Sequence, residues 1–274
     1  MTTTENTISA ANNPALANQL VKEALSDNQP VAASVGTPTV QLPPDTTVEL
    51  PGGLHDPFEG TITTAEVREL TGADEEAISK ITDTGKSLLA IIERATVKLG
   101  DKPATKETLD ALLAGDREMI LIAIRKVTFG PEFDLGPNCP LCGEEQTFTV
   151  DLDKDIEIKT LKDEDREFTV DCKVGKVNLR LPNGVAQKAL VNAAEKTAAE
   201  LDTILLKSCI ISINGMPIYD VQQVRNLSIK DRRELLTAIS DRNPGPQLSA
   251  VIKTCQSCNQ EVPLPISLAD LFRG

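Results

Sequence analysis

Two Cys-x-x-Cys pairs are the residues of this chain best suited to chemistry. The first pair is Cys139 and Cys142, the second is Cys255 and Cys258, and a short apolar run that can form a strand follows each of them. Zinc binds four thiolates in a closed tetrahedron, and one Cys-x-x-Cys turn supplies two of them. We therefore predict that the four cysteines bind one structural zinc ion in a zinc ribbon, which leaves no open position for a substrate.

The residues around the pairs favour this interpretation but leave alternatives open. Gly143 and Asn259 each follow the second cysteine of a pair, and both residue types tolerate the positive φ that such a turn needs. Residues 143–254 separate the pairs, so the ribbon would close a whole inserted domain at its neck. The pairs could instead be unrelated turns with free thiols. A disulfide interpretation is weaker, because we expect no secretory signal and a reducing compartment.

The other two cysteines stand alone in the sequence. Cys209 lies in an apolar run and is interpreted as a small core residue. Cys172 is interpreted as a partly buried strand residue. Neither is predicted to take part in the metal site.

Composition argues against several classes of function. The 274 residues carry a net charge of −13 and only 3% aromatic residues. The charge repels phosphate backbones and anionic membranes, and few aromatic rings are available to stack on bases. No apolar run approaches the roughly 18 residues of a membrane span. We therefore predict an acidic, soluble protein that contacts neither nucleic acid nor membrane.

The sequence offers no catalytic constellation. His55, the only histidine, lies in a Gly/Pro-rich stretch and is expected to be a solvated loop residue. Phosphate-binding and nucleophile-elbow glycine motifs are missing. The acidic run at 163–165 is interpreted as a solvated turn, and the run at 74–76 as charges at the positive end of a helix. We predict that the protein is not an enzyme.

Hydrophobic periodicity predicts an α+β fold. It comprises an N-terminal helical subdomain plus a four-cysteine zinc ribbon split by a mixed α/β insertion. The predicted divisions are a flexible N-terminal arm (1–45), a mainly helical subdomain (46–138), and a zinc-ribbon domain (139–274) with an insertion at 153–247.

Individual elements follow from local signals. Helices are predicted over 73–82, 86–98, 105–114, 116–128, 184–196, 199–209 and 229–240, and strands over 47–50, 61–70, 145–152, 154–159, 166–172, 176–181, 210–213, 216–218 and 248–254. Pro51, Gly52 and Gly53 are expected to turn the chain, Asn214-Gly215 to form a hairpin turn, and Ser228 to cap a helix.

Both ends of the chain could contact partners. Ala15–Ser26 can form a short amphipathic helix, and the arm that contains it is either a floppy leader or a segment that docks on a neighbouring subunit. The apolar C-terminal residues Leu268, Leu271 and Phe272 either bind a partner or fold back onto the ribbon.

Short sequence motifs follow one another along the chain in a characteristic order. The motifs are Val48–Leu54, Val67–Glu76, Leu112–Arg117, Ile120–Ile124, Phe129–Phe133, the first cysteine pair, Ile210–Gly215, Lys230–Arg232, the second cysteine pair and Leu271-Phe272. Over residues 46–272 this series resembles the baseplate protein family of T-even-type contractile-tail phages, whose members include hub subunits and hub-assembly factors. The N-terminal arm is a departure from that family pattern.

The resemblance implies a structural or assembly protein of the tail baseplate, associated with the hub. Its partners would be other baseplate or tail hub proteins, and a homo-oligomer is also open. It would reside in the virion tail baseplate, and in the host cytoplasm during assembly. The resemblance implies Cys139, Cys142, Cys255 and Cys258 as metal ligands and no catalytic residue.

The sequence fits two other functions less well. A zinc-ribbon nucleic-acid-binding or transcription-type factor would need Lys and Arg around the cysteine pairs, but Glu144, Glu145 and Asp151 follow the first pair. A zinc-dependent hydrolase or transferase conflicts with the all-cysteine ligand set and the lack of candidate bases.

Overall fold

Helices and short antiparallel strands alternate along the chain. The computed structural model describes residues 46–56, 60–136 and 138–272. The helices are α1 (Gly72–Ile78), α2 (Thr84–Ala95), α3 (Lys106–Ala111), α4 (Ala114–Phe129), α5 (Gly184–Val191), α6 (Ala198–Cys209), α7 (Val221–Arg225) and α8 (Ile229–Ser240). The strands are β1 (Thr47–Asp56), β2 (Gly60–Val67), β3 (Thr96–Leu99), β4 (Lys102–Pro103), β5 (Glu132–Leu135), β6 (Phe148–Asp151), β7 (Ile158–Lys159), β8 (Glu167–Cys172), β9 (Gly175–Arg180), β10 (Ile210–Ile213), β11 (Met216–Pro217), β12 (Gly245–Pro246), β13 (Ile252–Thr254) and β14 (Glu261–Pro263).

The strands form two larger sheets and three pairs. The larger sheets have the orders β1-β2-β3-β4 and β11-β10-β9-β8, and the pairs are β5-β6, β7-β12 and β13-β14. All described residues belong to one compact unit. The fold is therefore mixed α/β. The prediction for Ala15–Ser26 lies outside the described residues, and the three domain divisions stay predictions.

The N-terminal part contains a sheet where mainly helices were predicted. The helix expected over 86–98 ends at Ala95, and β3 begins at Thr96. The reason is tertiary: Lys98 pairs with Glu66 of β2, and the β-branched Thr96 and Val97 suit a pleated sheet better than a helix end. The other predicted helices of this part are present: α1 and α3 are shorter than predicted, and α4 is longer.

The predicted turn at Pro51–Gly53 is wrong. β1 continues to Asp56, and its register with β2 shifts between Glu49 and Leu54. Gly53 has φ 66° there, so these residues form a bulge instead of reversing the chain. His55 consequently lies exposed in a strand and not in a loop.

α4 is the central core helix, as predicted. Ten of its sixteen residues are buried, among them Ile120 and Ile124 with 0% exposure, so it is covered almost all round. Most of its apolar residues belong to the N-terminal cluster, but Ile122 packs in the cluster of the cysteine hairpins. α4 therefore joins two cores.

A third core lies between the second large sheet and the helices α6, α7 and α8. Val177, Leu179, Leu206 and Leu235 are fully buried in it, and so is Cys209. The Asn214-Gly215 turn has positive φ at both residues, 50° and 78°, as predicted for a two-residue hairpin.

The C-terminal apolar residues fold back. Leu271 is 1% exposed in the core of the cysteine hairpins, and Leu268 and Phe272 pack against that core and the N-terminal one. Between the two open interpretations of this segment, the structure favours the folded-back one. No helix in the described ranges has both the length and the apolar character needed to cross a membrane.

Candidate metal centre

Two hairpins carry the cysteine pairs at their tips. The β5-β6 hairpin carries Cys139 and Cys142, and the β13-β14 hairpin carries Cys255 and Cys258. The paired strands on either side of each tip hold its two ends together. The sequence predicted an extended segment after each pair, and β6 and β14 confirm it.

Both tips have the same backbone hydrogen bonds. In the first, Cys139 N donates to Glu144 O at 2.9 Å and Gly143 N donates to Cys139 O at 2.8 Å. In the second, Cys255 N donates to Gln260 O and Asn259 N to Cys255 O, both at 2.9 Å. Gly143 and Asn259 have φ of 75° and 55°, which confirms the positive φ predicted at these positions.

The four thiols meet between the tips. Cys139 Sγ lies 3.8 Å from Cys258 Sγ, and Cys142 Sγ lies 3.7 Å from Cys255 Sγ. All four Sγ atoms lie within 4.8 Å of one another. A tetrahedral zinc ion with Zn–S bonds of about 2.3 Å requires Sγ–Sγ distances of about 3.8 Å. The donor set and its spacing therefore fit such an ion.

The same distances argue against the two alternative interpretations. All six cysteines are free thiols, and 3.7 Å is far longer than a disulfide bond of about 2.05 Å. The two pairs lie 113 positions apart in sequence yet converge, so they are not unrelated turns.

Contacts around the thiols orient the two tips. Gln256 N of the second tip donates to Gln146 Oε1 beside the first tip at 3.1 Å. Cys139 and Cys255 are almost fully buried, at 1% and 0% exposure, within the apolar cluster that includes Val150. Cys142 is exposed, so a metal ion has a route of entry.

The thiols cannot all ionise without a cation. The pKa of Cys255 is lowered to about 6, first because the Cys258 backbone N–H donates to its sulfur, and Gln146 also contributes. The backbone of Glu144 lowers the pKa of Cys142, but burial and hydrogen bonds with the other three cysteines raise it to about 12 overall. Four adjacent thiolates therefore need a metal ion to balance their charge.

Carboxylates neutralise the basic residues near the hairpins. Lys253 Nζ lies 2.5 Å from Asp155 Oδ2, and Lys126 Nζ lies 2.5 Å from Asp153 Oδ1. The surface beside the metal centre is therefore poorly suited to a phosphate backbone.

A second group of contacts, which joins α4 and β1 to Arg166 and the Pro244-Gly245 segment, was not predicted from the sequence. Asp116 is fully buried, and its Oδ1 accepts a hydrogen bond from Gly52 N at 2.7 Å. Arg166 Nη2 donates to Gly52 O at 2.5 Å. Gly115, the second residue of α4, packs directly on Pro244 and Gly245. In the sequence, the only local signals for these contacts were Gly115 beside Asp116 and Gly245 beside Pro244.

Predicted polar residues elsewhere prove to be structural. Asp74 was assigned to the helix dipole, but its side chain is 1% exposed and pairs with Arg68 at 2.6 Å and Arg94 at 2.8 Å. These contacts, chiefly that with Arg68, lower the pKa of Asp74. In the acidic run at 163–165, Asp165 Oδ1 lies 3.1 Å from Arg242 Nε.

The chain was compared with protein families and with known proteins. Residues 44–240 match the model of the family described as T4 bacteriophage base plate protein. Comparisons with curated proteins and with solved structures give no match.

Proposed function

The chain belongs to the T4 bacteriophage base plate protein family, and we propose that it is a hub-associated structural or assembly subunit stabilised by one zinc ion. Family membership supports a structural role in a phage tail baseplate, where the partners are other phage structural proteins. The hub position, the zinc ion and the protein contacts are the proposal.

The convergence of four cysteine thiols carries the zinc proposal. Cys139, Cys142, Cys255 and Cys258 would be the ligands, and bound zinc would supply a closed, redox-inactive crosslink between the two hairpins. Structural zinc can contribute on the order of 10 kcal/mol to folding. Here the crosslink would join segments that lie 113 positions apart, on either side of the insertion.

The arrangement supports a role without chemistry. A four-thiolate shell has no coordination position for water or substrate. Two titratable side chains beside Gly52 make structural contacts. Asp116 accepts a hydrogen bond from the backbone N–H of Gly52, and Arg166 donates one to the backbone carbonyl of Gly52. We therefore propose that the protein acts through surfaces and not through a reaction.

Zinc binding is testable by native mass spectrometry of the full chain before and after denaturation. We expect one zinc ion at this centre, lost in Cys139→Ser and Cys255→Ser. Ser257→Ala, which alters a non-ligand residue of the same tip, is the matched control and should retain the ion. A folded wild-type chain without metal at these cysteines would refute the zinc proposal.

The hub proposal needs a separate test in the phage. Purified virions and baseplate assembly intermediates can be compared by quantitative mass spectrometry and by imaging of tails from a phage that lacks the chain. A resident hub subunit should occur at a fixed copy number per virion, whereas an assembly factor should occur only in intermediates. Normal tails and hubs without the chain would refute both forms of the proposal.

A further inference from the structure

A second group of metal-ligand side chains lies where β8 ends beside α8. Cys172 is the last residue of β8, and Asp231 and Glu234 lie three positions apart on α8. This spacing places both carboxylates on one face of the helix. One ligand atom from each of the three residues lies within 4.8 Å of the other two. The group is well separated in sequence from the four-cysteine centre.

The carboxylate of Asp231 is buried without a cation. Its residue is 2% exposed, and the N–H of Lys173 donates to Oδ1 at 3.1 Å, which holds the carboxylate against the end of β8. Within the described ranges, this is the one hydrogen bond to the carboxylate, and no Lys or Arg forms an ion pair with it. The α8 dipole favours an acid in the first turn, but a buried charge normally has a counter-charge or a metal as well.

Three carboxylates act on the thiol of Cys172. Burial is the main reason that the pKa of this thiol is raised to about 11, and the charges of Glu234, Asp231 and Asp171 add to the shift. These three charges are all negative. A bound cation would remove that repulsion and favour loss of the thiol proton.

We propose that Cys172, Asp231 and Glu234 form a second metal site, which binds zinc or a similar divalent transition metal. A thiolate ligand selects this class over Mg²⁺ and Ca²⁺, which take oxygen ligands. Three protein ligands leave one position for water, in contrast to the closed four-cysteine shell. The ion would join β8, the edge strand of its sheet, to α8.

The test counts zinc ions bound to the full chain by native mass spectrometry. We expect two ions in the wild type and one in Cys172→Ser and in Glu234→Gln. Glu234 is exposed, so its conservative substitution should not disturb folding. Glu76→Gln, at an exposed position of α1, is the matched control and should retain two ions.

Cobalt substitution gives an independent measurement. In the cobalt-loaded wild type, the sulfur-to-metal charge-transfer absorption should contain the contribution of one thiolate beyond the four of the cysteine centre. Cys172→Ser should abolish this fifth contribution and leave the other four. A metal count that stays at the wild-type value in both Cys172→Ser and Glu234→Gln would overturn the proposal, whether that value is one ion or two. Failure of the four-cysteine proposal is distinguishable, because Cys139→Ser would then leave the metal count unchanged.

Discussion

The substitution Gly115→Ala should force α4 away from the Pro244-Gly245 segment. A Cβ on Gly115 would lie 2.6 Å from the carbonyl carbon of Pro244 and 3.0 Å from Gly245 Cα, and still closer to the Pro244 carbonyl oxygen. These are backbone atoms, which cannot rotate away as a side chain can. The carbonyl oxygen is the closest atom, so α4 and the Pro244-Gly245 segment must move apart by about 2 Å to restore van der Waals distances of about 3.5 Å.

Three contributions set the size of the effect. Overpacking of this kind costs about 1–3 kcal/mol. The displacement also stretches the 2.7 Å hydrogen bond from Gly52 N to the fully buried Asp116, and an unsatisfied buried group costs about 1–3 kcal/mol. Alanine gains about 1 kcal/mol over glycine in a helix. We expect a net loss of about 1–5 kcal/mol in the free energy of unfolding.

Denaturant unfolding of the zinc-loaded chain measures this loss, and Gly72→Ala is the matched control. Gly72 is the first residue of α1, and a Cβ there would meet no atom within 4 Å. The control should be neutral or stabilising by up to about 1 kcal/mol. If Gly115→Ala is as stable as Gly72→Ala, the close approach of α4 to Pro244-Gly245 does not exist as described.

Three further substitutions probe other contacts by the same unfolding assay. Asp74→Asn should cost about 2 kcal/mol because it weakens two part-buried charge-assisted contacts with arginines. Since the pKa of Asp74 is lowered in the fold, the cost should be full above about pH 4 and vanish in stronger acid, and a cost that persists there would contradict this assignment. Burial raises the pKa of Glu118 to about 7, so the native state loses stability as the pH rises from about 4 to 7. Glu118→Gln should therefore stabilise the protein by about 2–3 kcal/mol at pH 8 and have little effect at pH 4, whereas equal effects at both pH values would exclude this titration. Leu271→Ala should cost about 2–5 kcal/mol because its side chain is 1% exposed, while Leu141→Ala, at a residue 63% exposed, should cost almost nothing; equal costs would mean that the C-terminal residues are not docked.

The turns that carry the four cysteines were predictable because their signals are local. A Cys-x-x-Cys turn with Gly or Asn after it encodes its own hydrogen bonds, and Gly143 and Asn259 adopt the positive φ that this turn needs. The convergence of the two pairs followed from their repeated pattern. The hairpin at Asn214-Gly215 was predictable for the same reason.

Features that depend on distant residues were missed. Whether residues 96–99 continue α2 or form β3 is decided by pairing with β2, and the sequence around Thr96 does not show this. The burial of Asp74 depends on Arg94, which lies twenty positions away. A glycine near a helix start gives no indication that its role is close contact with Pro244.

The neck, here the pair of strands β7 and β12, and the candidate metal centre involve the same two chain segments. The chain leaves β6 at Asp151 and enters β7 at Ile158, and it leaves β12 at Pro246 and enters β13 at Ile252. β7 pairs with β12, so each segment passes from the neck to a cysteine hairpin within a few residues. A zinc ion at the hairpin tips would keep β7 and β12 close and lower the entropy that their pairing must overcome. The proposed centre would thereby hold the chain between β7 and β12 in place, which suits the proposed structural role.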